Sequence, residues 1–301
     1  MALEAGATMH QMFASVRIWQ LEHVQGLRDH AKATALRLFG ASRWKQILRI
    51  QSEADTREGL LEIAFNTLAT SGWTDDPEDN NRTLANMESA TIIYVDQRLS
   101  DMESWPIYVA DKKRPDCLVG VEQVFDIVLV YEDGYKVRYI GTVDGLVTKA
   151  NTSNYYIDEN KTANRLGAGW RVSFELSHQI TGYVAASTTT FGFPVYRSRV
   201  TGLKIPVTYR GEDCYPHEPL ERTDENVHQW ATWVRNNAEV YERFEHDYEH
   251  AERRTHSCNR YFRACALIPF CGDTAEGRAE QWEQMVPSDK SPSERAIMEA
   301  L

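Results

Sequence analysis

The spacing of apolar residues changes along the chain. Over residues 10–70 they recur three and four positions apart, as in VRIWQLEHVQGL and REGLLEIAFNTLA, and this spacing predicts helices. The polar segment SGWTDDPEDNNRT predicts a loop, and TLANMESATIIYVDQRL predicts a further helix. Residues 118–147 then alternate apolar and polar positions, with EDG as a hairpin turn, so this part predicts two antiparallel strands.

The remaining pattern completes a mixed fold. YYIDENKTA follows the turn TKANTSN as a third strand, ELSHQITGYVAAST has helical spacing, and SRVTGLKIPVTYR returns to strand. Acidic helices follow to about residue 254. This order predicts an α/β or α+β fold with a central mixed sheet flanked by helices. We expect a single domain over residues 1–301, with N-terminal helices (1–100), a core (105–215) and C-terminal helices (216–301).

Charge is distributed unevenly along the 301 residues. The net charge of −11 argues against a protein that coats DNA non-specifically, but it allows an enzyme that binds nucleic acid locally. Residues 218–252 carry ten acids against three arginines, which is typical of a solvated helix face. Residues 191–210 contain no acid and four cations, namely Arg197, Arg199, Lys204 and Arg210.

Segments that would place the chain in or across a membrane are not evident. No apolar run reaches the roughly 20 residues needed to span a bilayer, and the first residues lack a basic stretch followed by an apolar one. We therefore expect a cytoplasmic protein. The cysteines are odd in number and no secretion signal accompanies them, which argues against a disulfide framework; they are Cys117, Cys214, Cys258, Cys265 and Cys271.

Candidate chemistry is concentrated in GTVDGLVTKANTSNYYIDENKTA, residues 141–163. Glu159 and Lys161 share a strand face with Ile157, and Asp144 lies in the preceding strand across a short turn. Two carboxylates close together repel each other, and a divalent cation such as Mg²⁺ relieves the repulsion. A neighbouring lysine can orient water and stabilise negative charge, so the set suits metal-assisted phosphodiester hydrolysis. The competing interpretation is a surface salt-bridge ladder.

Two further features favour a functional site. Gly141 and Gly145 flank Asp144 closely and would allow a ligand to approach the backbone. In the following helix Gln179 and Tyr183 are four residues apart and share a face. We expect this face to point toward the site, opposite an apolar stripe formed by Leu176, Ile180 and Val184.

The motifs GTVDGLV, IDENKT and QITGY, in that order, resemble the PD-(D/E)XK nuclease superfamily, in particular the RecB-like exonucleases with their phage and CRISPR-associated members. The resemblance implies a restriction-endonuclease-like core with Mg²⁺ or Mn²⁺ held by Asp144, Glu159 and the backbone carbonyl of Asn160. It implies that Lys161 positions the attacking water, and that Gln179 and Tyr183 support the site and contact DNA. The cations of residues 191–210 are then candidates for binding phosphates.

The chain departs from the family pattern in one metal ligand. The family usually supplies a histidine from an N-terminal helix, shortly after a glycine. At the best-matching segment, FGASRWKQIL, Trp44 occupies that place. Glu62 is an alternative acid from a helix, although a surface glutamate is the favoured interpretation. A missing histidine would weaken the metal site or mark an inactive relative.

The C-terminal cysteines are the second departure. Cys258, Cys265 and Cys271 resemble the last three ligands of the family's structural iron–sulfur cluster, but no cysteine precedes Cys117 to supply the first. A zinc site that includes His256, or buried thiols without metal, are the alternatives.

The resemblance predicts a metal-dependent DNA exonuclease that acts on single strands or DNA ends. Phage or bacterial recombination, repair or CRISPR adaptation is the expected setting, with a helicase or recombination protein as a partner. The alternatives are a structure-selective endonuclease, and a catalytically weakened module that binds DNA or a partner.

Overall fold

The computed structural model describes residues 2–53, 56–75, 79–208, 214–216 and 220–246. The predicted N-terminal helices are present. They comprise α1 (Ala2–Trp19), a π-helical turn (Gln20–Val24), α2 (Arg28–Glu53), α3 (Arg57–Ala69) and α4 (Leu84–Asp101).

Local chemistry sets the bounds of these helices. Thr56 and Thr83, both extended, accept hydrogen bonds from N–H groups of the first turns of α3 and α4. Gly26 has a φ of +69°, a conformation that glycine adopts readily, and it separates the π-helical turn from α2. Gly40 has a φ of +71° and interrupts α2.

The sheet has six strands in the order β1-β2-β3-β4-β5, and β6 also pairs with β4. Strands β2 and β3 are antiparallel, whereas β3 and β4 are parallel, so the predicted mixed sheet is confirmed. The connection between the parallel strands β3 and β4 passes through two helices. Parallel strands need a long crossover connection, which is usually helical. The strands are β1 (Val121–Val130), β2 (Lys136–Thr148), β3 (Tyr155–Ala163), β4 (Arg197–Lys204), β5 (Cys214–Pro216) and β6 (Leu220–Glu221), and the crossover helices are α5 (Ala168–Val172) and α6 (His178–Phe191).

The main core forms where α1, α3 and α4 pack together. Phe13, Leu60, Ile63 and Tyr94 are fully or almost fully buried there. Helix α1 also packs on β3, whose residues 156–160 are all buried. A polar residue in that part of β3 consequently needs a hydrogen-bonding or charged partner within the protein.

The chain divides into two compact units. The first contains the described residues that fall within 2–128 and 138–227, and the second contains those that fall within 129–137 and 228–246. In the second unit, which contains most of α7 (Asp224–His246), Tyr131 donates to the carbonyl of Ala231 and Arg235 pairs with Asp133. That residues 1–301 form a single nuclease domain remains a prediction. No helix within the described ranges is both long and apolar enough to cross a membrane.

Candidate metal centre

The predicted acids Asp144 and Glu159 lie close together, just beyond the point where the pairing of β2 with β3 ends. The pairing of β2 with β3 runs from Thr148↔Tyr155 to Leu146↔Ile157, and Asp144 and Glu159 occupy the next positions on the same face. Beyond the last pair, the N–H of Asn160 donates to Asp144 Oδ2 over 2.8 Å, so a carboxylate replaces a backbone acceptor. Asp144 and Glu159 are 3% and 1% exposed. The expected juxtaposition of these two residues is therefore present.

The histidine of this site comes from the first helix. His10 Nδ1 lies 3.1 Å from Asp144 Oδ1 and 4.0 Å from Glu122 Oε1. Ligand atoms of His10, Glu122 and Asp144 all lie within 4.8 Å of one another, close enough to share a metal ion. Imidazole nitrogen and carboxylate oxygen are both ordinary ligands of divalent metals.

The expectation that Trp44 stands in place of the histidine was wrong. Trp44 packs beside a second core cluster that includes Phe39, and Glu62 is exposed on α3. The sequence does contain a signal for His10, because it follows Gly6 by four residues in α1 and precedes Arg17 by seven, which places both side chains on one helix face.

Glu122 was missed as a site residue. In β1 the buried residues Val121, Phe125 and Ile127 are separated by even numbers of positions and lie on one face of the strand. Alternation therefore places Glu122 on the other face, where the sequence pattern does not distinguish it from an ordinary surface residue. Its φ of +43° is rare for a residue with a side chain and costs free energy. Arg37 of α2 fixes this conformation by donating to the carbonyls of Val121 (2.6 Å) and Glu122 (3.0 Å).

Lys161 and the predicted pair on α6 border the acids. Lys161 Nζ lies 2.6 Å from Glu159 Oε1. Gln179 Nε2 donates to the Tyr183 hydroxyl over 2.8 Å, which places both side chains on one helix face as predicted. Burial raises the pKa of Tyr183, and the negative charges of Glu159 and Asp144 raise it further.

Burial and the charges of neighbouring groups together govern the protonation of the acids. Burial, with the nearby charge of Asp144, raises the pKa of Glu122 to about 8 and that of Glu159 to about 7. Burial disfavours the charged form of Asp144 as well, but the charge of His10 and its hydrogen bond hold the pKa of Asp144 below its usual value. The charge of Asp144 in turn raises the pKa of His10 to about 9 against the opposing effect of burial.

Two buried carboxylate oxygens indicate what this site can accommodate. Within the described part of the chain, Glu122 Oε1 and Glu159 Oε2 have no hydrogen-bond partner. Leaving such oxygens without a partner costs free energy. A divalent cation would bind both oxygens and would also neutralise the repulsion between the carboxylates. The residues present therefore fit a hard divalent cation such as Mg²⁺ or Mn²⁺ with mixed oxygen and nitrogen ligands.

A buried ionic cluster lies on the opposite face of β3. Asp158, which is 0% exposed, contacts three arginines at 3.0 to 3.4 Å, namely Arg17, Arg98 and Arg199. Burial opposes ionisation of Asp158, but the charges of Arg98, Arg199 and Arg17 outweigh it and keep its pKa well below the usual range.

The interpretation of the two glycines beside Asp144 requires correction. A Cβ atom at Gly141 would lie 2.6 Å from the Phe125 ring, and one at Gly145 would lie 3.1 Å from the Arg17 guanidinium. These glycines make room for the protein's own side chains rather than for a ligand.

The predicted stripe on α6 is also partly wrong. Ile180 and Val184 are buried, but Leu176 is 82% exposed because Ser177 caps the helix and leaves Leu176 outside it.

The basic segment of residues 191–210 does not form a continuous exposed surface. Arg199 is 3% exposed and bonded to Asp101 and Asp158, which leaves it no access to a phosphate. Arg197 pairs with Glu221, and Lys204 donates to Thr208. Arg210 lies outside the described residues.

The expected cluster ligands Cys258, Cys265 and Cys271, with His256, also lie outside the described residues.

Comparison of the sequence with known proteins gave no match, either to a family model or to a curated protein. The chemistry of this site therefore follows from its own side chains. These are three acids, a histidine and a lysine, and they lie where the pairing of β2 with β3 ends.

Proposed function

We propose that the chain is a metal-dependent DNA nuclease of the PD-(D/E)XK type that hydrolyses phosphodiester bonds and acts as an exonuclease on single strands or DNA ends. The observation that carries the proposal is the convergence of His10, Glu122 and Asp144 within 4.8 Å, beside the Glu159–Lys161 pair. Metal-assisted phosphodiester hydrolysis needs ligands that hold a divalent cation, and a neighbouring ammonium can stabilise the charge that develops on the phosphate.

Four groups would hold the metal: the side chains of His10, Asp144 and Glu159 and the backbone carbonyl of Asn160. The N–H of Asn160 points at Asp144, and a strand residue directs its N–H and C=O toward the same neighbour, so the carbonyl faces the same gap. Glu122 adds a third carboxylate. The bound metal would neutralise phosphate charge and lower the pKa of a water molecule.

Lys161 would act at the edge of this site. Its ammonium lies 2.6 Å from Glu159 Oε1 and the Lys161 side chain is 26% exposed, so the ammonium would be able to contact both a water molecule and a phosphate. There it would orient the attacking water and stabilise the negative charge that develops on the phosphate. Gln179 fixes the phenol of Tyr183 through their hydrogen bond, and the pair would contact the DNA strand beside the acids.

His10 removes the main argument for a catalytically weakened binding module. That alternative rested on a missing histidine and on the net charge of −11, and His10 supplies an imidazole at 3.1 Å from Asp144. A helicase or recombination partner, and an iron–sulfur cluster at the C-terminal cysteines, remain predictions from the family resemblance.

A degradation assay tests the proposal. Labelled linear single-stranded and duplex DNA are incubated with Mg²⁺, Mn²⁺ or chelator, for the wild type, Lys161→Ala and Lys149→Ala. We expect metal-dependent loss of DNA that Lys161→Ala abolishes and Lys149→Ala retains, because Lys149 is exposed and lies over the Trp105 ring. End-blocked substrates separate exonuclease from endonuclease activity. A folded wild type that cleaves no DNA in either metal would refute the proposal.

A further inference from the structure

Helix α2 is strongly basic in an acidic protein. Residues 28–53 contain six lysines and arginines against two acids, a net charge of +4 where the whole chain carries −11. No other helix that the structure describes has a positive excess above one. The cations of α2 are Arg28, Lys32, Arg37, Arg43, Lys45 and Arg49. Such a local excess attracts a polyanion even when the net charge is negative.

The interruption at Gly40 brings two of these cations, Lys32 and Lys45, together. Lys32 and Trp44 would be about 18 Å apart along a straight helix of 1.5 Å rise. Lys32 Nζ nevertheless lies 5.4 Å from the centre of the Trp44 ring, and Lys45 Nζ lies 5.9 Å from it. The chain therefore bends sharply at Gly40, whose φ of +71° and ψ of 174° are not helical. The bend brings the exposed Lys32 and Lys45 to one ring.

The same helix borders the metal centre. Arg37 donates to the carbonyl of Glu122, and Arg43 Nη1 donates to Gln11 Oε1 over 3.3 Å, next to His10 in sequence. Arg37 is bound to carbonyl oxygens rather than carboxylates in these contacts, so its charge is not neutralised by them. The positive charge of α2 is thus continuous with the residues that supply metal ligands.

We propose that the phosphate backbone of the substrate strand binds along α2 and enters the metal centre past Arg37, with Lys32 and Lys45 as outer phosphate contacts. This inference rests on the proposed nuclease function and specifies its binding surface. It replaces β4, the surface that the sequence suggested, because Arg199 is buried and Arg197 is paired with Glu221. Lysine and arginine contacts of this kind supply sequence-independent affinity that weakens with salt.

The test compares two double variants that remove equal charge, Lys32→Gln with Lys45→Gln and Arg197→Gln with Lys204→Gln. Fluorescence anisotropy of a labelled single-stranded oligonucleotide is measured in chelator, so that binding occurs without cleavage, over a series of salt concentrations. For the α2 variant we expect at least tenfold weaker binding at low salt, with the slope of log K against log salt reduced by about 1.4 for two lost contacts. The β4 variant should bind as the wild type does.

Thermal melting confirms that both variants are folded. Wild-type affinity and slope in the α2 variant would overturn the proposed surface, as would a loss confined to the β4 variant. If the wild type cleaves DNA in either of these cases, the proposed function stands and only the surface is wrong. A wild type that neither binds nor cleaves DNA refutes the function and the surface together.

Discussion

The Arg17 guanidinium donates a hydrogen bond of 2.8 Å to the backbone carbonyl of Asp144. Its other terminal nitrogen donates to the carbonyl of Asp158 over 2.8 Å. These contacts lie beyond the last paired residues of β2 and β3, where no ladder holds the strands at a fixed distance. Arg17 therefore ties the strand of Asp144 to the strand of Glu159 from within the core.

Enlarging Gly145 should disturb this tie. A Cβ there would lie 3.1 Å from the Arg17 guanidinium, which its hydrogen bonds hold in place. We expect Gly145→Ala to lower the free energy of unfolding by about 1–3 kcal/mol, as overpacking does. Chemical denaturation measures it.

Gly6→Ala is the matched control for this substitution. Nothing lies within 4 Å of a Cβ at Gly6, which is in helix α1 with Arg17. Since alanine is the better helix former, Gly6→Ala should stabilise the protein by up to about 1 kcal/mol. Equal effects of the two substitutions would contradict the role of Arg17.

The arginine cluster around Asp158 should contribute strongly to stability. Asp158→Asn keeps the side-chain volume but removes the negative charge that faces Arg17, Arg98 and Arg199 in the core. Breaking a buried ion pair typically costs about 3–5 kcal/mol, and we expect a loss of that size in urea denaturation.

An exposed pair of the same chemistry provides the comparison. Asp126 accepts two hydrogen bonds from Arg138 at the surface. Asp126→Asn should lower the free energy of unfolding far less than Asp158→Asn does, because solvent screens exposed pairs. A loss for Asp158→Asn as small as this would mean that the three arginines are stable without the acid.

The mixed sheet and the pairing of Asp144 with Glu159 could be predicted because both depend on local patterns. A period of two places Glu159 and Lys161 on one strand face, and a short turn returns Asp144 to the neighbouring strand. The Gln179–Tyr183 pair follows from the four-residue spacing of a helix, whereas the carbonyl of Asn160 was named from the family resemblance alone.

His10 and Glu122 depend on tertiary packing instead. His10 is 134 residues before Asp144, and only the packing of α1 against the sheet brings them together. Glu122 reaches the site through a backbone conformation that its neighbours impose, and a hydrophobic pattern does not encode this. The assignment of Arg199 to a basic surface failed similarly, since its partner Asp158 looked like an ordinary strand residue.

His10 should be a metal ligand rather than a core residue. We expect His10→Ala to weaken Mn²⁺ binding by about tenfold or more in calorimetric titration, because one of the few ligands is lost. His178→Ala is the control, since His178 is exposed at the start of α6. Unchanged Mn²⁺ affinity in the folded His10→Ala protein would remove His10 from the metal site.

The metal-free protein should lose stability as the pH rises. The pKa of Glu122 is raised from 4.5 to about 8 and that of Glu159 to about 7, so the folded state keeps protons that the unfolded chain releases. Their contribution is complete below about 4.5 and is lost as the pH passes about 7 and 8. His10, raised from 6.5 to about 9, contributes fully below about 6.5 and loses its contribution through about 9.

All three groups act in the same direction, so the melting temperature in chelator should fall between about pH 5 and pH 9. Metal ligands must be deprotonated, and Mg²⁺ or Mn²⁺ should therefore raise the melting temperature more at about pH 8.5 than at about pH 5.5. At a metal concentration of about 100 Kd the gain is about 2.7 kcal/mol. Glu122→Gln should flatten the pH dependence in chelator because it removes the most strongly shifted acid. A melting temperature in chelator that rises over this range would show that the carboxylates are not held together in the folded protein.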